Sequence, residues 1–129
     1  MMSAKKKNEL QISTLHDWEI LGVNVSRFTR TAEIILYLPD KDKKIILRFK
    51  GVQRFFLSEM MFQNVILDVL LFDKVSDSDY FKRGCELLEI KPPYFEQEKQ
   101  FKLIYFEPSV GAELACYFSD FEFIEGNVS

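Results

Sequence analysis

Two consecutive stretches of this chain alternate apolar and polar residues with a period of two, the pattern of a strand with one buried face and not of a helix. Ala32, Ile34, Leu36 and Leu38 alternate with Glu33, Ile35 and Tyr37, and Ile45, Leu47 and Phe49 alternate with Ile46, Arg48 and Lys50. Between them Pro39-Asp40-Lys41-Asp42-Lys43 suits a hairpin turn, because proline presets its φ and aspartate bonds its own backbone. An earlier stretch places Leu21, Val23 and Val25 on one face, with Trp18 and Ile20 in the opposite phase. Its link to the next strand is a second hairpin over Ser26 to Thr31. Three strands joined by short polar loops predict an antiparallel meander.

Beyond Lys50-Gly51 the pattern predicts a fourth strand over Val52–Leu57 and a fifth over Asn64–Phe72. The fifth is apolar on both faces except at Asp68, as a central strand would be. The period changes after Ser76-Asp77-Ser78-Asp79, residues suited to capping a helix and to complementing its positive end. Tyr80, Phe81, Gly84, Cys85, Leu87 and Leu88 then recur at helical spacing, with Lys82, Arg83, Glu86 and Glu89 opposite. This predicts one amphipathic helix of about three turns, ended by Pro92-Pro93. Lys99–Phe106 and Ala112–Ile124 follow as a hairpin, with Gly111 supplying a positive φ at the turn. Leu114, Cys116 and Phe118 are out of phase with Phe121 and Phe123. Either a bulge near Ser119-Asp120 returns all five to one side, the favoured reading, or the strand is covered on both faces. The expected fold is α+β and strand-rich: a mainly antiparallel sheet, built from a meander and a C-terminal hairpin, with one amphipathic helix. Residues 1–14 read as a polar N-terminal tail and 15–126 as a single globular domain.

With 129 residues, 13 of them Phe, the chain is too apolar to stay unfolded and long enough for one core. The most apolar stretch, Val65–Phe72, is too short to span a bilayer and holds Asp68. Lys5-Lys6-Lys7 is not followed by the apolar segment of a secretory signal. Cys85 and Cys116, far apart in sequence, read as buried thiols of a cytoplasmic protein.

Chemistry is sparse. His16-Asp17 is the sole His–carboxylate neighbour pair, but adjacent strand residues point to opposite faces, so a structural, capping role is expected over a catalytic one. One His and two distant Cys cannot make the usual zinc site. The acidic run Asp73, Asp77, Asp79 fails the calcium-loop spacing, with Val75 third and Gly84 twelfth. Phosphate-cradling glycine loops are missing. No catalytic residue, metal or cofactor is therefore expected. Residues 1–64 hold 11 Lys/Arg against 7 Asp/Glu, and residues 65–129 hold 6 against 13, within a net charge of −3. That is not the basic stripe of a nucleic-acid binder. The acidic half, with Glu96, Glu98, Glu107, Glu113, Asp120, Glu122 and Glu125 on or beside the last strands, could instead meet a basic protein. The bland alternative is an ordinary solvated sheet face. Met60-Met61-Phe62 is similarly two-sided, as a binding surface or as the end of a core. Met60, Met61, Phe62, Glu113, Asp120 and Glu122 are the candidate partner-binding residues.

Leu15-His16-Asp17 entering a strand, Leu47-Arg48-Phe49-Lys50-Gly51-Val52 ending the meander, and Phe106-Glu107-Pro108-Ser109-Val110-Gly111-Ala112-Glu113-Leu114 form an ordered set. Over roughly Leu15 to Ile124 the chain resembles small bacterial proteins that open with Leu-His-Asp. Some of these are grouped as immunity proteins of polymorphic-toxin systems, immunity protein family number fifty being the nearest. The resemblance implies a cytosolic, non-enzymatic protein that neutralises a partner toxin by surface complementarity; hydropathy and charge, for their part, lead us to expect no membrane or nucleic-acid partner. The alternatives from other classes are a small-ligand-binding barrel, which requires an enclosed apolar pocket, and an unrecognised hydrolase, which requires His16 in a cleft beside a carboxylate or hydroxyl.

Overall fold

A computed structural model describes residues 4–125, with side chains from Asn8 onward. The expected domain end at 126 lies outside the described residues. Helix α1 (Ala4–Ile12) is followed by strands β1 (Glu19–Ser26), β2 (Thr31–Leu38) and β3 (Lys43–Lys50), the predicted meander. Then come β4 (Arg54–Ser58), β5 (Val65–Phe72), α2 (Asp79–Leu88), α3 (Pro92–Gln97), β6 (Lys102–Val110), β7 (Glu113–Phe118) and β8 (Asp120–Ile124). All pairings are antiparallel, in the order β4-β7-β6-β5-β1-β2-β3-β8. The α+β, mainly antiparallel architecture is thus observed.

The two outermost strands of that order are not free ends. β4 continues β3 through a bend at residues 51–53, and β8 continues β7 through a bend at Ser119. The two long bent strands lie side by side, Lys50 opposite Asp120 and Arg54 opposite Tyr117. The bend itself is bridged by Gln53 N–H donating to the Tyr117 carbonyl (2.9 Å) and Ser119 N–H to the Lys50 carbonyl (3.1 Å). Gly51 makes this corner possible: its φ is +64°, and a Cβ there would collide with the Ser119 side chain. The sheet is therefore two four-stranded leaves, β8-β3-β2-β1 and β4-β7-β6-β5, folded over one another by strands that pass from leaf to leaf. At the second corner β1 and β5 pair only at Glu19 and Val65.

Period-two alternation decides what lies between the leaves. Ala32, Ile34 and Leu36 of β2, Ile45, Leu47 and Phe49 of β3, and Leu114, Cys116 and Phe118 of β7 are shut off from solvent in one core. The predicted bulge is present at Ser119, so Phe121 and Phe123 of β8 turn back into that core beside Phe118. A second bulge in β1 shifts the register between Ile20 and Gly22. It sends Leu21 outward, contrary to the expected Leu21–Val23–Val25 face, and brings Ile20 and Val23 onto the core side.

The expected single helix is α2, capped by Ser78, whose hydroxyl accepts from Tyr80 N–H (3.1 Å). It stops earlier than predicted, at Glu89 in a left-handed cap, and Pro92-Pro93 open α3. Proline is tolerated there because the first turn of a helix has no N–H partners to lose. α2 and α3 cover the outer face of the β4-β7-β6-β5 leaf through Phe81, Cys85, Leu88 and Phe95 against Leu103, Tyr105, Ala115 and Tyr117. The residues expected to be a polar tail include α1, and Ile12, 2% exposed, joins the inner core with Leu15. Periodicity missed α1 because its residues carry almost no amphipathic signal; only its end is apolar.

Candidate partner-binding surface

Where β1, β5 and the β6–β7 turn meet, one polar residue is buried: Asn64. Its Oδ1 accepts from Met61 N–H (2.8 Å) and Ala112 N–H (3.0 Å). Its Nδ2 donates to the carbonyls of Met61 (2.8 Å) and Ile20 (3.2 Å), and its own carbonyl accepts from Ile20 N–H (2.8 Å). The side-chain amide has thus filled both donor positions and both lone pairs. Gly111 closes against it with φ +81°, where a Cβ would meet the Gln63 carbonyl oxygen at 2.8 Å.

This hub fixes an apolar surface. Phe62 is fully exposed (110%), and Met60, Met61, Leu21 and Val110 are exposed around it. Each lies at or within two residues of a group bonded to Asn64, or, for Val110, opposite its neighbour Val65. Met60-Met61-Phe62 does not close the end of a core; it stands in solvent on a pinned loop.

Beside the loop runs a row of carboxylates on the outer face of the leaf. Ser58, the last residue of β4, pairs with Glu113, and Asp68 pairs with Glu107. The β6–β7 register, Phe106 opposite Leu114, brings Glu107 next to Glu113. Glu113 is held by both Arg83 Nε and Nη2 (3.0 Å each) and by the Tyr105 hydroxyl (2.5 Å). The Arg83 hydrogen bond, aided by Tyr105, keeps Glu113 below the usual carboxylate range against the opposing effect of its burial. Burial and the same carboxylate push Tyr105 up, and a hydrogen bond to Glu107 raises Tyr80. Among the described residues Asp68 accepts a single hydrogen bond, from Val69 N–H (2.8 Å). Arg83 divides between Glu113 and Glu86 (2.9 Å), so Glu107 and Asp68 keep the rim of the apolar patch negative. Among the described residues no group of three His, Cys, Asp or Glu is arranged to hold a metal.

The remaining expected partner-binding residues lie elsewhere. Asp120 and Glu122 are on the other leaf, and their charge is answered locally. Arg48 bridges Glu33 (2.7 Å) and Glu122 (3.1 Å), while Lys50 reaches Glu122 (3.4 Å) and Asp120 (3.7 Å). The six candidate residues therefore fall into two groups, Met60, Met61, Phe62 and Glu113 on one leaf and Asp120 and Glu122 on the other. Sequence reasoning missed Asn64, Leu21, Val110 and Asp68 as parts of this surface. Only the Asn64–Gly111 pairing of a buried amide with a turn glycine had a readable signal, and only half of it, the glycine, was legible.

His16 and Asp17 are both exposed, and neither side chain forms a hydrogen bond among the described residues. The capping role expected of them is not made by these side chains. The backbone does the joining: Asp17, at φ +70°, donates its N–H to the Ile66 carbonyl (2.9 Å). In the inner core Phe49, Phe118 and Phe121 pack directly on one another. Both cysteines are free and buried, and burial alone raises their thiols, Cys85 to about 11. No described helix is long and apolar enough to cross a membrane. In comparison with known proteins, no family model matches the chain, and neither a curated protein nor a solved structure is significantly similar to it.

Proposed function

We propose that the protein is a non-enzymatic binding protein that docks a partner protein with a basic surface through the Met60–Met61–Phe62 loop, and that toxin neutralisation is its task. One observation carries this reading: a fully exposed phenylalanine on a loop held rigid by the Asn64 hub. An exposed aromatic on a mobile loop would lose much of its burial gain to ordering; here that ordering is already complete. Phe62 and Met61 act as the anchors, and Asp68 and Glu107 steer a cationic partner into register. Blocking a toxin needs only such complementarity, in keeping with the resemblance to immunity proteins. Function in the cytoplasm belongs to the same proposal.

The test is site-specific photocrosslinking in the producing cell, with the photoreactive residue at position 62 and, as control, at Tyr37 on the opposite leaf. The proposal expects one basic protein crosslinked from position 62 only, lost in Phe62→Glu and weakened by Asp68→Lys. Equal labelling from both positions, or none from position 62 with a candidate toxin expressed, refutes it.

A further inference from the structure

A cleft of about 370 Å³ opens where α2 ends, α3 begins and β4 starts. Its floor is Ile90 and Tyr117, its wall Tyr94, and its mouth carries Arg54, Lys91 and Glu89. Tyr117 and Glu113 are four residues apart on β7, about 13 Å at strand rise, so this cleft is separate from the acidic rim.

Three independent features distinguish it. First, Tyr117 is completely buried, yet its hydroxyl has no hydrogen-bond partner among the described residues. The ring is held firmly, stacked on Phe101 (5.0 Å between centroids) and packed by Phe95 (5.8 Å) and Tyr94 (6.4 Å). A phenylalanine would fill that space without stranding a donor, and a stranded buried hydroxyl is costly. Second, two cations, Arg54 and Lys91, converge on the mouth, and like most described cations neither enters an ion pair among the described residues. Arg54 and Lys91 outnumber Glu89 at the mouth, while Glu98, at the end of α3, acts on the Tyr117 hydroxyl from the side of that helix. Third, the volume lies within the range of small-molecule sites, and the lining mixes aromatic and aliphatic surface with a few convergent polar groups.

We propose that this cleft binds a small aromatic oxyanion. Its carboxylate or phosphate sits between Arg54 and Lys91, its ring lies against Ile90 and Tyr94, and one of its oxygens accepts a hydrogen bond from the Tyr117 hydroxyl. Arginine supplies the planar, paired donors that such an oxyanion fits.

Titration of the full chain with 4-hydroxybenzoate and with phenyl phosphate, followed through the tyrosine ring NMR signals, tests this. Inorganic phosphate serves as the probe without a ring. Tyr117→Phe removes only the unpartnered hydroxyl and keeps the ring packing, so the variant remains folded. Arg54→Gln changes an exposed side chain. The expected result is a saturable shift of the Tyr94 signals with at least one aromatic probe, weakened about tenfold in each variant. Which aromatic probe binds more tightly tells carboxylate from phosphate. The proposal is overturned by any of three outcomes: no saturable shift at millimolar probe, affinity unchanged in Tyr117→Phe, or inorganic phosphate matching the aromatic probes.

Discussion

Replacing Asn64 by alanine tests the idea that one buried amide holds the corner of the two leaves and the exposed loop together. Of the groups it serves, the Ala112 N–H (3.0 Å) and the Ile20 carbonyl (3.2 Å) are interior, while those of Met61 lie at the surface and can turn to water. Two stranded interior groups cost about 1–2 kcal/mol each, and the emptied space about 1 kcal/mol more. The sum is about 4 kcal/mol. At the usual unfolding entropy per residue, a 129-residue chain should melt about 15 °C lower. Asn64→Asp separates bonding from volume, since it keeps the shape and both accepted bonds but turns a carboxylate oxygen toward two carbonyls. That arrangement favours the protonated form, so the folded-state pKa lies above the unfolded one. The Asp variant should then approach wild type in acid, below the unfolded pKa, and lose stability as pH rises through the folded pKa. Thermal melts by circular dichroism at acid and neutral pH measure both effects. A fall of under about 3 °C for Asn64→Ala, on the same entropy scale, would refute the argument.

Acid should weaken the grip of β7 on α2: Glu113 is held below the ordinary carboxylate range, so its contribution is present above the unfolded pKa and is lost as pH falls through the folded one. Glu113→Gln should flatten that part of the pH–stability curve, at about 1 kcal/mol after allowing for the exposure of Arg83. Gly111→Ala should destabilise by about 2 kcal/mol in urea melts, since its φ of +81° and the Gln63 carbonyl at 2.8 Å both oppose a Cβ. Phe62→Glu should leave the melt within about 0.5 kcal/mol of wild type, because nothing covers the ring, while partner crosslinking is abolished. Cys85 and Cys116 should react with an aromatic disulfide reagent only as fast as the protein opens, both thiols being buried and raised.

The strands with one buried face were the legible part of this molecule, because alternation and burial are the same fact seen twice. The β2–β3 hairpin pairs Leu38 with Lys43 through Thr31 with Lys50, and the phase mismatch at Ser119 marked a real bend. Leu21 was misread because a bulge resets the phase there, although Gly22, directly after it, was its mark in the sequence. The bulge at Leu67 has such a mark only on the opposite strand, where Pro108 faces Ile66. The surface was harder. Asp120, Glu122 and Glu113 look alike in sequence, yet the first two are paired by Arg48 and Lys50, more than 60 residues earlier, and Glu113 by Arg83 on the helix that covers the other leaf. Charge on a strand is read locally, but its compensation comes from whichever strand the topology sets beside it. The Tyr117 cleft is equally invisible, since its floor, wall and mouth come from four elements, the end of α2, α3, β4 and β7.

Because the leaves are joined by β3–β4 running beside β7–β8, the last contacts to form involve groups far apart along the chain; Arg48 and Glu122 are 74 positions apart. A ribosome emits β1, β2 and β3 early, and these can pair at once as local hairpins. The outer edge of β3 and the apolar inner face stay bare until residues 113–124 have left the exit tunnel. For that interval the nascent chain carries an unpaired, hydrophobic-backed edge, the state most open to aggregation. Chaperone demand should therefore persist until β8 has emerged, and stalled chains lacking β8 should be handed to proteases while chains that contain it are spared.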